Sequence, residues 1–436
     1  MELIEQLLEQ KNIEKAYKQV VSNKGGKGVD GVTVNDLKSY METHWERIKE
    51  EIRTGRYHPQ LVLGVEIPKA KGGTRLLGIP TVIDRLIQQG IHQILNPIYD
   101  IQFSEFSYAF RTGRSTHGAV LQSKRYLEQG YKHIIDLDLK SFFDIVNHDY
   151  LMSLLNHEIK DRMLMKLIRK YLKSSIFLGG LSQNRTKGTP QGSPLSPLLS
   201  NILLNNLDKE LERRGHKFVR YADDCSIFLK SDFAAERVLK SITLFIEKKL
   251  HLQVSKEKTS ICTPLTYETL GFGFSHSYRK GDKGKFNLKV PTSKWKQMKQ
   301  KIKVITRKTS PITFIERMLN LRRFVIGWLN YYKYVPLNLR DLDSWVRKRI
   351  RYVIWKQWKK PNKRMRSFIR LGIEKGRAYS WSRSRLGGWR IAKSPMMETT
   401  ITLRRLENRG YLSFKTQFAK SRRSIPEAQQ LKFSYV

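Results

Sequence analysis

Cysteine is nearly absent: 436 residues hold two, Cys225 and Cys262. That excludes a disulfide scaffold, a disulfide-linked partner and any zinc site built from several thiolates. Long apolar runs are missing as well. Each is short and broken by charge, so no segment is expected to span a bilayer. No basic amphipathic helix stands apart from the folded pattern, which argues against a membrane surface as partner. Met1 to Gln10 carries three Glu and no basic start, unlike a secretory signal, so a cytoplasmic protein is expected. The ten His show no metal-ligand spacing, and there is no internal repeat or low-complexity linker. Acidic residues are the scarcest class relative to expectation: 39 Asp+Glu face 82 Lys+Arg, a net charge of +43. A chain this basic repels itself unless a polyanion is present, and nucleic acid is the expected polyanion.

The charge is uneven. From Pro291 to Val436 there are 37 Lys+Arg and 7 Asp+Glu, so this third holds a surplus of 30 of the total 43. Seven of the eight Trp lie there too. Cations interleaved with aromatics suit phosphate neutralisation and base stacking. Trp in helix cores would account for most of the individual rings but not for the charge.

Composition is otherwise globular, 40% hydrophobic and 28% charged, with length for two to four folded units. Apolar spacing predicts helices over 1–22, 35–53, 84–95, 116–129, 148–173, 198–207 and 233–250. Asn23 to Gly31 reads as a turn, because its glycines lack the ending of a phosphate-binding P-loop. Val62 to Pro80 reads as a basic hairpin, and strand-like pieces fall at 131–144, 218–229, 252–254, 259–263 and 268–274. After about Thr292 the pattern is helical: 294–309, 311–332, 340–359 and 363–375. The order predicts an α+β fold, a split βαβ-type antiparallel sheet with helices on one face, followed by an all-α region.

The chemistry is carried by carboxylates in apolar strands. Along 133–139, Ile135, Leu137 and Leu139 face one way, Asp136 and Asp138 the other. Asp223 and Asp224 sit at the tip of a hairpin with apolar flanks. Adjacent carboxylates repel unless cations sit on them, and Mg²⁺ takes oxygen ligands. Three carboxylates on neighbouring strands can hold two metals for nucleotidyl transfer. A bare Asp-Asp is also an ordinary turn; the ordered set around it is what favours the metal site.

That set resembles the reverse transcriptases. Tyr221-Ala222-Asp223-Asp224 is similar to their YxDD box, and Asp138 with Phe143 five residues on resembles the first catalytic Asp and the aromatic beneath the sugar. Gly188 to Ser193, followed by Leu195 to Asn201, resembles the template- and nucleotide-binding block; Lys258-Thr259 and Leu270-Gly271-Phe272 resemble the later lysine motif and the primer grip. Gly28 to Thr33, Ile67-Pro68-Lys69, Arg75, Ser107 to Ser115, and Gly327 to Tyr332 resemble bacterial group II intron proteins in particular. Ala109 and Thr112 depart from the Gly and Pro common there, away from the carboxylates.

The resemblance implies a right-hand polymerase. Residues 1–58 would be an N-terminal extension, 59–287 fingers and palm, 288–372 the thumb or maturase domain, and 373–436 a small basic segment binding RNA or target DNA. It implies two Mg²⁺ ions on Asp138, Asp223 and Asp224, with deoxynucleoside triphosphates as substrates. Lys69 and Arg75 would hold the incoming triphosphate, Arg111 and Arg114 would contact triphosphate or template backbone, and Phe143 would stack on the deoxyribose. Gln191 and Gly192 would approach the templating pair, Lys258 would protonate pyrophosphate, and Tyr221 with Leu270, Gly271 and Phe272 would hold primer and template. Asp136 and Asp144 read as structural or solvent-facing, and Lys71 as a solvated hairpin tip. Implied partners are an RNA template, a group II intron RNA and a DNA primer or target, with nucleoid association when bound to DNA. No Cys/His endonuclease module is expected, as in the group IIC-like class. A domesticated reverse transcriptase in DNA repair or phage defence, or a splicing factor without polymerase activity, are the alternatives.

Overall fold

The computed structural model describes residues 2–68 and 72–425, so Lys69 and Lys71 lie outside the described residues. Contacts divide the chain into two units, Met1–Tyr267 and Glu268–Val436.

The first unit begins with α1 (Leu3–Leu8), α2 (Gln10–Ser22) and α3 (Leu37–Arg53). The expected helix 1–22 breaks at Glu9, whose backbone is extended (ψ 136°). The basic hairpin is β1 (Val62–Pro68) and β2 (Thr74–Ile79), followed by α4 (Val82–Asp100) and α5 (Thr116–Glu128). Then come β3 (His133–Leu137), α6 (Phe142–Ile145), α7 (His148–Glu158), α8 (Arg162–Lys173), β4 (Ile176–Leu178) and β5 (Leu181–Gln183). The helices expected from about 148 to 173 are α7 and α8; the Asp161 carboxylate starts the second by accepting from Met163 N and Leu164 N. Last are α9 (Ser196–Arg213), β6 (Lys217–Tyr221), β7 (Asp224–Leu229), α10 (Asp232–Lys249) and β8 (Ser260–Cys262). The strand expected at 252–254 is one isolated bridge, Leu139 to Val254.

Two sheets result. One has the order β2-β1-β4-β5, with β1 and β4 parallel. The other has the order β6-β7-β3-β8 and is antiparallel throughout. This second sheet buries Ile135, Leu137, Cys225 and Ile227 on one face, packed with Leu198, Ile202 and Leu207 of α9 and Val238, Ile242 and Ile246 of α10. The N-terminal helices share that core through α4, where Gly90 admits Leu7: a Cβ there would lie 2.7 Å from Leu7 Cδ1.

The second unit opens with β9 (Glu268–Thr269), β10 (Phe272–His276) and β11 (Phe286–Lys289), in the antiparallel order β11-β10-β9. β9 and β10 precede the expected boundary at 287/288, and β11 straddles it. Helices follow: α11 (Thr292–Ile305), α12 (Phe314–Tyr331), α13 (Arg340–Gln357), α14 (Pro361–Arg370) and α15 (Lys375–Ser382). Short ones complete it: α16 (Gly388–Ala392), α17 (Pro395–Thr400), α18 (Leu403–Glu407) and α19 (Phe414–Arg423). Its separate core centres on Leu321, Val325, Leu329, Val346, Ile350 and Phe368. The buried Asp343 carboxylate ties the end of the chain to α13, accepting from Tyr411 Oη, Ser413 Oγ and Phe414 N. Among the described residues no helix is long and apolar enough to cross a membrane.

Candidate active site

Strand register gathers the acids. β3 and β7 pair Asp136 with Ser226 and Leu137 with Cys225. Asp138 follows directly where this pairing ends, as Asp224 precedes Cys225, and alternation puts Asp136 and Asp138 on the face opposite Ile135 and Leu137. Asp138 is fixed by its own backbone: its N–H donates to Thr259 Oγ1 (3.2 Å) and its carbonyl accepts from Ser255 N (2.9 Å). Asp223 and Asp224 follow Ala222, which takes a left-handed backbone (φ +58°) at the tip of β6 and β7.

The electrostatics follow from that crowding. Burial, then the charge of Asp223, then those of Asp136 and Asp138, push the Asp224 carboxyl up to about 6. Burial and Asp138 raise Asp136 to about 6. Lys258 Nζ lies 2.9 and 3.2 Å from the two Asp138 carboxylate oxygens. The cluster offers hard oxygen donors only, with surplus negative charge that a divalent cation would relieve, so the donor chemistry fits Mg²⁺. Among the described residues, no three of these groups close into a metal cage. Asp136, expected to be structural, is electrostatically part of the cluster; its place on the acidic face was the sequence signal.

The loop from Gly188 to Ser193 is pinned beside α6 and β2. Gly188 N donates to Val146 O and Thr189 N to Phe143 O, each at 2.7 Å, while His148 Nε2 lies 2.7 Å from Gly188 O. Gly78 N donates to Gln191 O (2.8 Å), and a Cβ on Gly192 (φ +120°) would lie 2.7 Å from Gly78 O. Ser193 Oγ donates to Gln88. Phe142 is buried in the core and Phe143 is half-buried, their rings edge to face at 5.1 Å.

Arg75, on β2 opposite Ile67, is exposed, as is Arg114, whose guanidinium lies 5.8 Å from the Tyr108 ring centroid. The expectation that Arg111 contacts triphosphate or template is corrected. Its side chain is 7% exposed and turns inward, donating to Asp100 Oδ1 (2.7 Å), Asp100 O, Ser104 O and Ser107 O. Tyr221 Oη accepts from Thr116 Oγ1 (3.2 Å). Lys69 falls outside the described residues.

In the second unit, Leu270 (φ +49°) and Gly271 (φ +76°) form the turn between β9 and β10. Tyr331 Oη donates to Leu270 O (2.6 Å) and Tyr332 Oη to Gly271 O (3.1 Å), and the Phe272 ring packs on both tyrosines at 5.2 and 5.0 Å. Two motifs read separately in the sequence are therefore one local structure.

Sequence reasoning missed Arg220. It lies in β6, 1% exposed, with Asp208 of α9 fully buried against it. A charge within the apolar run Phe218 to Tyr221 was the available signal.

Comparison with known proteins agrees with this geometry. Residues 67–274 match the model of the reverse transcriptase (RNA-dependent DNA polymerase) family, and residues 295–371 that of the group II intron maturase-specific domain. Protein YkfC of Escherichia coli (strain K12) is 32% identical over 286 residues, covering 56% of this chain and 75% of YkfC. Group II intron-encoded protein LtrA of Lactococcus lactis subsp. cremoris is 31% identical over 311 residues, covering 56% of this chain. This chain spans 52% of the length of LtrA. Among solved structures, a partial Cas6-RT-Cas1–Cas2 complex matches at 26% identity and a TM-score of 0.37, covering 57% of this chain and 43% of that chain.

Proposed function

This chain belongs to the group II intron reverse transcriptase/maturase family, and we propose that it copies RNA into DNA and also binds a group II intron RNA to promote splicing and retrohoming. The observation that supports the reading is the crowding of the acids where β3 and β7 end: Leu137 pairs with Cys225, and the charges of Asp223, Asp136 and Asp138 all act on Asp224. Two Mg²⁺ ions held by Asp138, Asp223 and Asp224 would supply charge stabilisation at the α-phosphate and the leaving pyrophosphate. Asp136 adds negative charge behind them.

The remaining residues bind and orient. Arg75 and Arg114, with Lys69, neutralise triphosphate or template phosphates. Phe143 lies under the sugar and disfavours a 2′-hydroxyl. Gln191 and Gly192, seated on β2, form a floor for the templating pair. Lys258, paired with Asp138 here, would be released from that carboxylate by a cation held there and would serve as proton donor to pyrophosphate. Tyr221 and the turn Leu270-Gly271-Phe272 hold the primer. The surplus of 30 positive charges after Pro291 supports RNA and target-DNA binding by the thumb and the C-terminal segment.

The test is primer extension on a mixed-sequence RNA template with deoxynucleotides and Mg²⁺. Wild type should give full-length DNA and Asp223→Asn/Asp224→Asn none. No product from wild type, with RNA still bound tightly, would overturn the polymerase reading in favour of a splicing factor without it.

A further inference from the structure

We propose that Arg220 is a positioning residue that presets the Asp223-Asp224 turn and holds it in register with the segment bearing Tyr108 and Arg114. The inference rests on the polymerase reading for what the turn does, but not for what holds it.

The guanidinium uses all five of its N–H groups. Nε and Nη2 grip both oxygens of Asp208 (2.7 and 2.6 Å), and Nη2 also donates to Ser107 Oγ (2.8 Å). Nη1 donates to Asn201 Oδ1 and to Ala222 O, both at 3.0 Å. The last bond is the informative one. Ala222 is the left-handed residue at the hairpin tip, and L side chains disfavour that backbone. Holding its carbonyl fixes the peptide that leads directly into Asp223. The backbone of Arg220 works on the other side: its N–H donates to Phe106 O and its carbonyl accepts from Tyr108 N, each at 2.9 Å. Asn201 completes the frame by donating to Ala109 O (2.9 Å). One side chain and its own peptide therefore join α9, the 106–109 segment and the acidic turn.

Stability alone gives a poor reason for this arrangement. Buried ion pairs lose hydration on folding, and apolar pairs of similar volume often replace them without loss. What an apolar pair cannot do is hold the Ala222 carbonyl.

Two variants test this: Arg220→Lys, which keeps a charge beside Asp208 but loses the planar fork, and Arg220→Met/Asp208→Leu, which removes the pair as a unit and so guards against a misfolded single variant. Each is measured in primer extension below its melting temperature, and by hydrogen exchange of the amides at 221–224. We expect kcat to fall by about tenfold to a hundredfold, with KM for deoxynucleotide within about twofold, and faster exchange confined to the turn. The double variant should show that loss even where its melting temperature equals or exceeds wild type. Restored kcat together with restored stability, or unchanged exchange at 221–224, overturns the proposal. Should wild type itself make no DNA, the polymerase reading fails, and the exchange result alone still decides whether Arg220 holds the turn.

Discussion

Gly192→Ala is a sharp test of how the loop from Gly188 to Ser193 is seated. Gly192 has φ +120°, and a Cβ would lie 2.7 Å from the Gly78 carbonyl oxygen, a backbone atom that cannot swing aside as a side-chain end could. The strained backbone alone costs about 1–3 kcal/mol. Relieving the clash means moving the loop off β2, which also loses the Gly78 N to Gln191 O bond of 2.8 Å, a net loss of about 0.5–1.5 kcal/mol. Strain alone therefore acts against the seated loop by roughly 1–3 kcal/mol, or roughly 5- to 160-fold in the seated-to-unseated ratio; the clash adds to it and the hydrogen bond given up on release opposes it. Gly113→Ala is the matched control: φ is +75°, but no atom lies within 4 Å of its Cβ, so only backbone strain of about 1–2 kcal/mol applies. The assay compares thermal unfolding, hydrogen exchange over 188–193 and KM for deoxynucleotide in both variants. Faster exchange in the loop with a raised KM is expected for Gly192→Ala only. If the two variants behave alike, the close seating of the loop on β2 is not what orders it.

Phe143→Ala should raise ribonucleotide incorporation relative to deoxynucleotide by at least about tenfold, a change of roughly 1.4 kcal/mol in discrimination; unaltered sugar preference removes Phe143 from that role. RNA binding should fall with salt by about 0.7 in log K per log salt for each phosphate contact, and filter binding between 50 and 200 mM salt would expose a flat response if charge is not the driving force. Burial lowers the His148 pKa more than its bond to Gly188 O raises it, and among the described residues its buried Nδ1 has no partner. A folded-state pKa below the unfolded value favours the neutral ring, so stability is full above the ordinary imidazole range and declines as pH falls through it. His92 and His216 shift in the same direction, so the difference between wild type and His148→Gln isolates the contribution; parallel unfolding curves from pH 7 to 5 would refute it.

What could be read in the sequence had a local cause. Alternation over 133–139 separated Ile135 and Leu137 from Asp136 and Asp138 because strand side chains alternate faces; the two apolar residues are buried and the two acids half-buried, though Ile134 on the acidic side is fully buried as well. The helices α9 and α10 carry apolar residues at helical spacing. What could not be read depends on partners distant in the chain. Arg111 and Arg114 lie three residues apart in the same polar turn, yet the Asp100 carboxylate and three carbonyls draw only the first inward. Asp136 joins the acidic cluster through pairing with a strand ninety residues later. The β4–β5 hairpin escaped notice because strands of three residues are too short to show a period. The break at Glu9 is a backbone feature within a run whose apolar spacing continues on both sides.

The scarcity of cysteine has a practical side. Cys225 lies on the core face of β7, 1% exposed, and burial pushes its thiol well above the ordinary range, so it is chemically quiet. Cys262 is half-buried on β8, the edge strand of the same sheet and a direct neighbour of β3. An unaltered chain therefore offers a single addressable handle: one maleimide dye or spin label at Cys262 would report from the strand beside the one that carries Asp136, without a cysteine having to be added or removed.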